Sequence, residues 1–220
     1  MGDFRNYFCN YRNDCMILRQ DRIIGLYGMK GSGKTTLGNY IMKQYLNNSI
    51  RVVLYNTDLE RYSKHELLSV INPIEDKAIN LEYLNKKLKE IRASSSNSMI
   101  YIRDLDAFYD KATSLSKSSA EIKDISTRGR HTRNGLIYES KQPRYIPAKL
   151  ISNTDLFFIG NFTEKEDLLR FKSLSGNVLY HLPMHSFLMI DRWDMSKKII
   201  VYDTKSDSIK IIQKLDNIGD

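Results

Sequence analysis

Gly28-Met29-Lys30-Gly31-Ser32-Gly33-Lys34-Thr35 satisfies every constrained position of the pattern G-x-x-x-x-G-K-[ST]. Its glycines free the backbone to curl, so that successive N–H groups point inward at an anion. The lysine adds a mobile positive charge, and the hydroxyl that follows is a ligand type suited to Mg²⁺. The chemistry this spacing spells is capture of a nucleoside triphosphate, with ATP and Mg²⁺ as the expected pair. The backbone from Gly28 to Thr36 would wrap the phosphates, Lys34 would reach the β- and γ-phosphates, and Thr35 would ligate the metal.

Such a loop needs acidic partners at the end of a neighbouring strand, to hold the metal and orient an attacking water. The apolar run Met99-Ile100-Tyr101-Ile102 leads into Arg103-Asp104-Leu105-Asp106 and is the best source of them. Asp104 is assigned the Mg²⁺ side and Asp106 the water, with the reverse assignment open. Many ATPases of this broad group place Glu directly after the metal-side Asp. Here Leu105 stands in that position, which leaves the catalytic base unassigned.

Elements able to position these residues are visible around them. Residues 22–27 form a short apolar run ending at the loop, and beyond it Leu37, Tyr40, Ile41 and Tyr45 recur at helical spacing. Residues 51–56 are β-branched and apolar, and 80–92 place Leu81, Leu84, Leu88 and Ile91 on one helical face. A strand at 99–102 follows, then a loop at 111–119, a helix at 120–132, strands at 135–140 and 155–160, and a helix at 163–173 between the last of these and the tail. This alternation predicts an α/β fold of three layers, a mainly parallel sheet with helices on both faces. The tail, with strand-like runs at 186–193, 198–203 and 208–212, predicts antiparallel strands. The expected organisation is one domain: an extension at 1–21, a nucleotide-binding core at 22–180 and a β-meander at 181–214.

With 41% hydrophobic and 27% charged residues, the composition is that of a globular chain, and no stretch is apolar enough for a membrane-spanning helix. The first residues resemble no secretory signal, so the chain is expected to stay in the compartment where it is made. Cys9 and Cys15 could form one disulfide, two unpaired thiols being the favoured reading, and His181 and His185, split by Pro183, do not make a metal pair. The net charge of +8 is concentrated: residues 111–150 carry nine basic and three acidic side chains, +6 of that total. A polyanionic partner is the natural complement.

The segment from Arg128 through His131 and Gln142 to Arg144 resembles the stretch that, in the FtsK/HerA superfamily, joins an arginine-bearing helix to a sensor strand ending in Gln. Ile146-Pro147 and Leu150-Ile151-Ser152-Asn153, followed by the closing Phe187-Leu188-Met189-Ile190, are similar to genome-packaging ATPases of tailless icosahedral viruses, including archaeal ones. The resemblance spans roughly residues 22–212. It implies a P-loop NTPase of RecA-like fold, hydrolysing ATP to move double-stranded DNA into a capsid as a homo-oligomeric ring, in the host cytoplasm or the virion and in contact with capsid proteins. It gives Gln142 the reading of the γ-phosphate, and Arg130, or failing it Arg128, the role of an arginine finger in a neighbouring subunit's site. Lys111 and Lys117 would face the channel and touch the DNA backbone. The alternatives are a regulatory P-loop switch and a weakly hydrolysing nucleotide-binding virion protein.

Overall fold

The computed structural model describes residues 6–10, 14–57, 61–73, 80–94, 97–109 and 119–215, excluding the side chains of 6–18 and of Arg130. A short hairpin, β1 (Asn6–Asn10) and β2 (Asp14–Leu18), comes first, with Cys9 and Cys15 opposite each other in its register. The other strands are β3 (Ile23–Tyr27), β4 (Arg51–Tyr55), β5 (Leu68–Ile71), β6 (Ser98–Ile102), β7 (Gly135–Ser140), β8 (Leu156–Ile159), β9 (Ser186–Asp191), β10 (Ser196–Asp203) and β11 (Ser208–Leu215). The helices are α1 (Lys34–Asn47), α2 (Leu81–Ser94), α3 (Ala120–Thr132), α4 (Ala148–Asn153) and α5 (Lys165–Ser175).

Strands β3 to β11 form one sheet in the order β11-β10-β9-β8-β3-β7-β6-β4-β5. All neighbours from β8 to β5 pair in parallel, and β9, β10 and β11 continue the same sheet antiparallel. The closing strands therefore extend the core sheet. This is the α/β architecture the sequence predicts, a mainly parallel sheet with antiparallel strands at its C-terminal end.

The sheet is covered on both faces, and strand alternation sorts its side chains between two cores. Ile24, Leu26, Met99, Tyr101 and Ile137 pack on the side of α1, with Leu37, Tyr40, Ile41 and Tyr45. Ile23, Tyr27, Ile100, Ile102, Leu136 and Tyr138 face the other way, against residues of α2, α3, α4 and α5. One helix thus owns one face of the central strands, and it is the helix that starts at the glycine loop.

At the N-terminal end of the strands a polar clamp ties β9 to β3. Arg22, fully buried, is ion-paired with Asp191, and its guanidinium lies 4.7 Å from the Trp193 ring centroid. Asp155 accepts from the Ile23 N–H (2.9 Å) and from Trp193 Nε1 (3.0 Å). Strand β5, the hairpin and α4 are additions to the elements predicted from the sequence. The loop at 111–118 lies outside the described residues.

Candidate functional site

The loop from Gly28 to Gly33 is pinned by the ends of the strands on either side of β3. Gly28 N–H donates to the Ser140 carbonyl at the end of β7 (3.2 Å), and Met29 N–H to the Asn161 carbonyl just beyond β8 (2.8 Å). Gly31 (φ 81°) and Gly33 (φ 93°) lie in the left-handed region, where a side chain would strain the backbone. Gly33 caps α1 without any side-chain hydrogen bond, and no acidic residue sits in the helix's first turn. The N–H groups and positive dipole end of α1 are therefore left for an exogenous anion. Ser32 Oγ is buried in the loop without a hydrogen-bond partner, a donor that a phosphate oxygen would satisfy.

Lys34 folds back across this cradle, its Nζ donating to the Met29 carbonyl at 2.9 Å. Burial lowers its pKa, against the pull of Glu139, Asp104 and Asp106, so the lysine and three carboxylates share one electrostatic neighbourhood. These acids come from the C-terminal ends of β6 and β7, as a site at the carboxyl edge of a parallel sheet requires.

Asp104 (φ 45°) starts a 3-10 turn, Leu105–Phe108, directly after β6. Its carboxylate accepts from Lys141 Nζ at 3.0 Å. Asp106 accepts from the Lys141 backbone N–H, also at 3.0 Å, and burial raises its pKa, which suits a proton acceptor. Leu105 is fully buried in the core beneath them.

The acid bonded to Thr35 is Glu139, a residue that the sequence reading counted only as a charge. Thr35 Oγ1 donates to Glu139 Oε2 at 2.8 Å, and the Tyr101 hydroxyl donates to Oε1. Glu139 is 1% exposed; burial raises its pKa, and the hydrogen bond from Tyr101 and the charge of Arg103 counter this. Its direction follows from alternation: two residues after Ile137, it shares the face of α1. Tyr101 can reach it because Gly38 lies over the hydroxyl; a Cβ there would sit 2.0 Å from that oxygen. A signal for Glu139 was present in Gly135-Leu136-Ile137-Tyr138-Glu139-Ser140, where an acid interrupts a strand whose two buried faces call for apolar residues.

Gln142 follows β7 and lines a cleft of about 400 Å³ with Met29, Lys30, Asp106, Phe162 and Asp167. The fold thus brings Gln142 beside the glycine loop. Arg144, at the same cleft, is engaged within the chain, donating to Glu166 (3.1 Å) and lying 3.8 Å from Asp167.

The arginines of α3 are elsewhere. That helix ends where β7 begins, so Arg128 lies toward the N-terminal edge of the sheet, near Ser126 and Thr127, which line a separate pocket with Asp21 and Asp155. A strand of five residues spans about 17 Å, which keeps Arg128 away from its own chain's glycine loop. Its side chain is 75% exposed, with Nε 3.4 Å from Asp124. The side chain of Arg130, and all of Lys111 and Lys117, lie outside the described residues. Among the described residues no three His, Cys, Asp or Glu side chains converge as a protein-only metal cage. No helix among them is long and apolar enough to cross a membrane.

No family model matches the sequence, and no curated protein aligns with it. The fold does have solved counterparts. The genome packaging NTPase B204 from Sulfolobus turreted icosahedral virus 2, in complex with ATP-gammaS, superposes with a TM-score of 0.70 at 17% identity, over 83% of this chain and 98% of that one. B204 from Sulfolobus turreted icosahedral virus, described as a DNA-packaging ATPase, gives 0.65 at 16% identity, over 90% and 100%. The pCW3 conjugation coupling protein TcpA, in its monomer form with ATPgS, gives 0.53 at 18% identity, over 83% and 61%. At these identities the likeness establishes the fold, that of NTPases solved with ATP analogues.

Proposed function

We propose that this chain is a Mg²⁺-dependent ATPase that works as a homo-oligomeric motor, translocating double-stranded DNA into a viral capsid. The observation that carries this reading is the near-complete overlap with B204, which is covered over 98% of its length, around an anion cradle built on Gly28 to Thr35. The reading is supported by Lys34 lying in the field of Asp106, and by Asp106 lining one cleft with Gln142, groups suited to phosphate binding, water activation and γ-phosphate sensing.

The residues fit the absent group. Ser32 Oγ is an unsatisfied donor inside the loop, the α1 N-terminus is uncapped, and Thr35 presents a hydroxyl beside a carboxylate. A bound Mg²⁺ would neutralise charge on the β- and γ-phosphates. Lys34 would move from the Met29 carbonyl to the phosphates, and Asp106 would take the proton of the attacking water. Arg128 is remote from its own loop and exposed, which supports a role in trans for it or for its neighbour Arg130. The concentration of positive charge in residues 111–150 supports a duplex DNA partner, with Lys111 and Lys117 as backbone contacts.

The test is the ATPase rate with and without duplex DNA, measured together with the oligomeric mass. Stimulation by DNA of an oligomer is expected, with turnover reduced at least ~10³-fold in Lys34→Ala. A monomer whose turnover ignores DNA would sink the motor reading. Subunits carrying Arg130→Ala mixed with Lys34→Ala subunits should recover part of the activity if the arginine acts in trans.

A further inference from the structure

We propose that Glu139, on β7, is the metal-side carboxylate of this site, held by Tyr101, and that the acids following β6 are left to act on water. The inference rests on the reading of the site as one for Mg²⁺ and a nucleotide. Thr35 is the hydroxyl a P-loop offers to the metal, and a hydroxyl that ligates a cation through its oxygen still needs an acceptor for its proton. Glu139 Oε2 is that acceptor, at 2.8 Å. A carboxylate in this position lies at the edge of the space in which a cation bound to Thr35 must sit.

The other acids meet Lys141 and not Thr35: the Asp104 carboxylate accepts from Lys141 Nζ, and that of Asp106 from the Lys141 backbone N–H. The residue directly after β6 is Arg103, a cation that donates to Asn39 Oδ1 (2.9 Å) and Asn56 Oδ1 (3.2 Å). Positive charge thus stands directly after β6, ahead of Asp104, and a negative charge stands one strand over on β7, on the same face of the sheet. Mg²⁺ in a phosphate site uses one or two carboxylates with the phosphates themselves, so the lack of a protein-only cage among the described residues agrees with this arrangement.

Tyr101 and Gly38 are positioning residues for Glu139. The hydroxyl of Tyr101, fully buried, fixes Oε1 so that Oε2 is presented to Thr35, and the missing side chain at Gly38 leaves it room. Outer contacts of this kind change metal affinity by about 10–100-fold when removed.

The experiment uses the full chain, a non-hydrolysable fluorescent ATP analogue, and Mn²⁺ as a paramagnetic stand-in for Mg²⁺. Analogue affinity is measured in EDTA and in Mg²⁺, and Mn²⁺ bound to the nucleotide complex is titrated by EPR. Glu139→Gln, which retains a carbonyl oxygen as an acceptor for Tyr101 or Thr35, removes a negative charge beside the phosphates, so affinity in EDTA should be no weaker than the parent's while Mn²⁺ binding weakens at least ~10-fold. Asp104→Asn should bind Mn²⁺ like the parent. Parent-like Mn²⁺ affinity in Glu139→Gln, or loss confined to Asp104→Asn, overturns the proposal. If Glu139→Gln does not fold, Tyr101→Phe decides: it should weaken Mn²⁺ binding about 10-fold or more, and an unchanged affinity overturns the assignment. A parent chain that does not bind the analogue would remove the nucleotide reading and this proposal with it. A parent that binds Mn²⁺ and nucleotide but ignores DNA would remove only the motor.

Discussion

Placing a methyl group at Gly38, in the middle of α1, separates the role of this glycine from its helical propensity. Propensity alone says that Ala in place of a helical Gly stabilises by about 0.5–1 kcal/mol. The structure says the opposite. A Cβ at Gly38 would lie 2.0 Å from the Tyr101 hydroxyl, 2.8 Å from its Cζ and 3.1 Å from Leu26 Cδ1, where ordinary contact begins near 3.4 Å. The phenol must retreat by roughly 1.4 Å within a wholly buried setting. Overpacking of this kind costs about 1–3 kcal/mol, and losing the hydrogen bond to the Glu139 carboxylate adds about 1.5–3. After the propensity gain, the net expectation for Gly38→Ala is a loss of about 2–5 kcal/mol, or roughly 4–20 °C in Tm for a chain of this size. Urea denaturation of the nucleotide-free protein measures it. Combined with Tyr101→Phe, which deletes the clashing oxygen, the alanine should cost at least about 1 kcal/mol less than it does alone. A Gly38→Ala protein as stable as its parent, or strict additivity in the double variant, would refute the argument that Gly38 exists to admit Tyr101.

Other expectations follow from the same geometry. Asp106→Asn should bind the ATP analogue like the parent while turnover falls at least ~10²-fold, since it removes a proton acceptor and no phosphate contact; if binding collapses instead, Asp106 belongs to the metal side. Asp191→Asn leaves the buried Arg22 guanidinium facing a neutral amide and should cost about 3 kcal/mol, read as a lowered urea midpoint with nucleotide affinity intact. Burial pushes the phenols of Tyr27 and Tyr45 upward, and those of Tyr109 and Tyr138 up to about 12. The unfolded chain therefore releases these protons first. This contribution to stability is fully present below pH 10 and is lost as pH rises from about 10 through 12, each tenfold weakening of a phenol's acidity on folding being worth about 1.4 kcal/mol. Denaturation midpoints that stay flat between pH 9 and 12 would contradict this sign.

Local features were the legible ones. The glycine loop is contiguous, and the amphipathic spacing of Leu37, Tyr40, Ile41 and Tyr45 or of Leu84, Leu88 and Ile91 is written along a single helix, so their burial could be read directly. Strand β5 was missed although Leu67-Leu68-Ser69-Val70-Ile71 is a short apolar run, because four incompletely buried residues at a sheet edge are too few for periodicity to identify. Helix α4 is six residues after Pro147, too short for periodicity to show.

The acidic side of the site was hard to read for a different reason. Which carboxylate meets Thr35 depends on which strand lies beside which, and the partner is 104 residues away in sequence. Spacing within Arg103-Asp104-Leu105-Asp106 suggests a strand end, but β6 stops at Ile102 and the backbone turns left-handed at Asp104, so strand alternation no longer assigns these acids a face. Glu139 is still inside its strand. There the alternation holds: Ile137 faces α1, therefore Glu139 faces α1, and the parallel pairing of Tyr101 with Ile137 places the phenol on the same side. An acid within a buried strand is thus assigned more securely than an acid just beyond one, once the strand order is known. In this chain that order, β3-β7-β6, sets β7 directly beside the phosphate loop's own strand, with β6 one strand further out. The nearer strand is the one that delivers a carboxylate to Thr35.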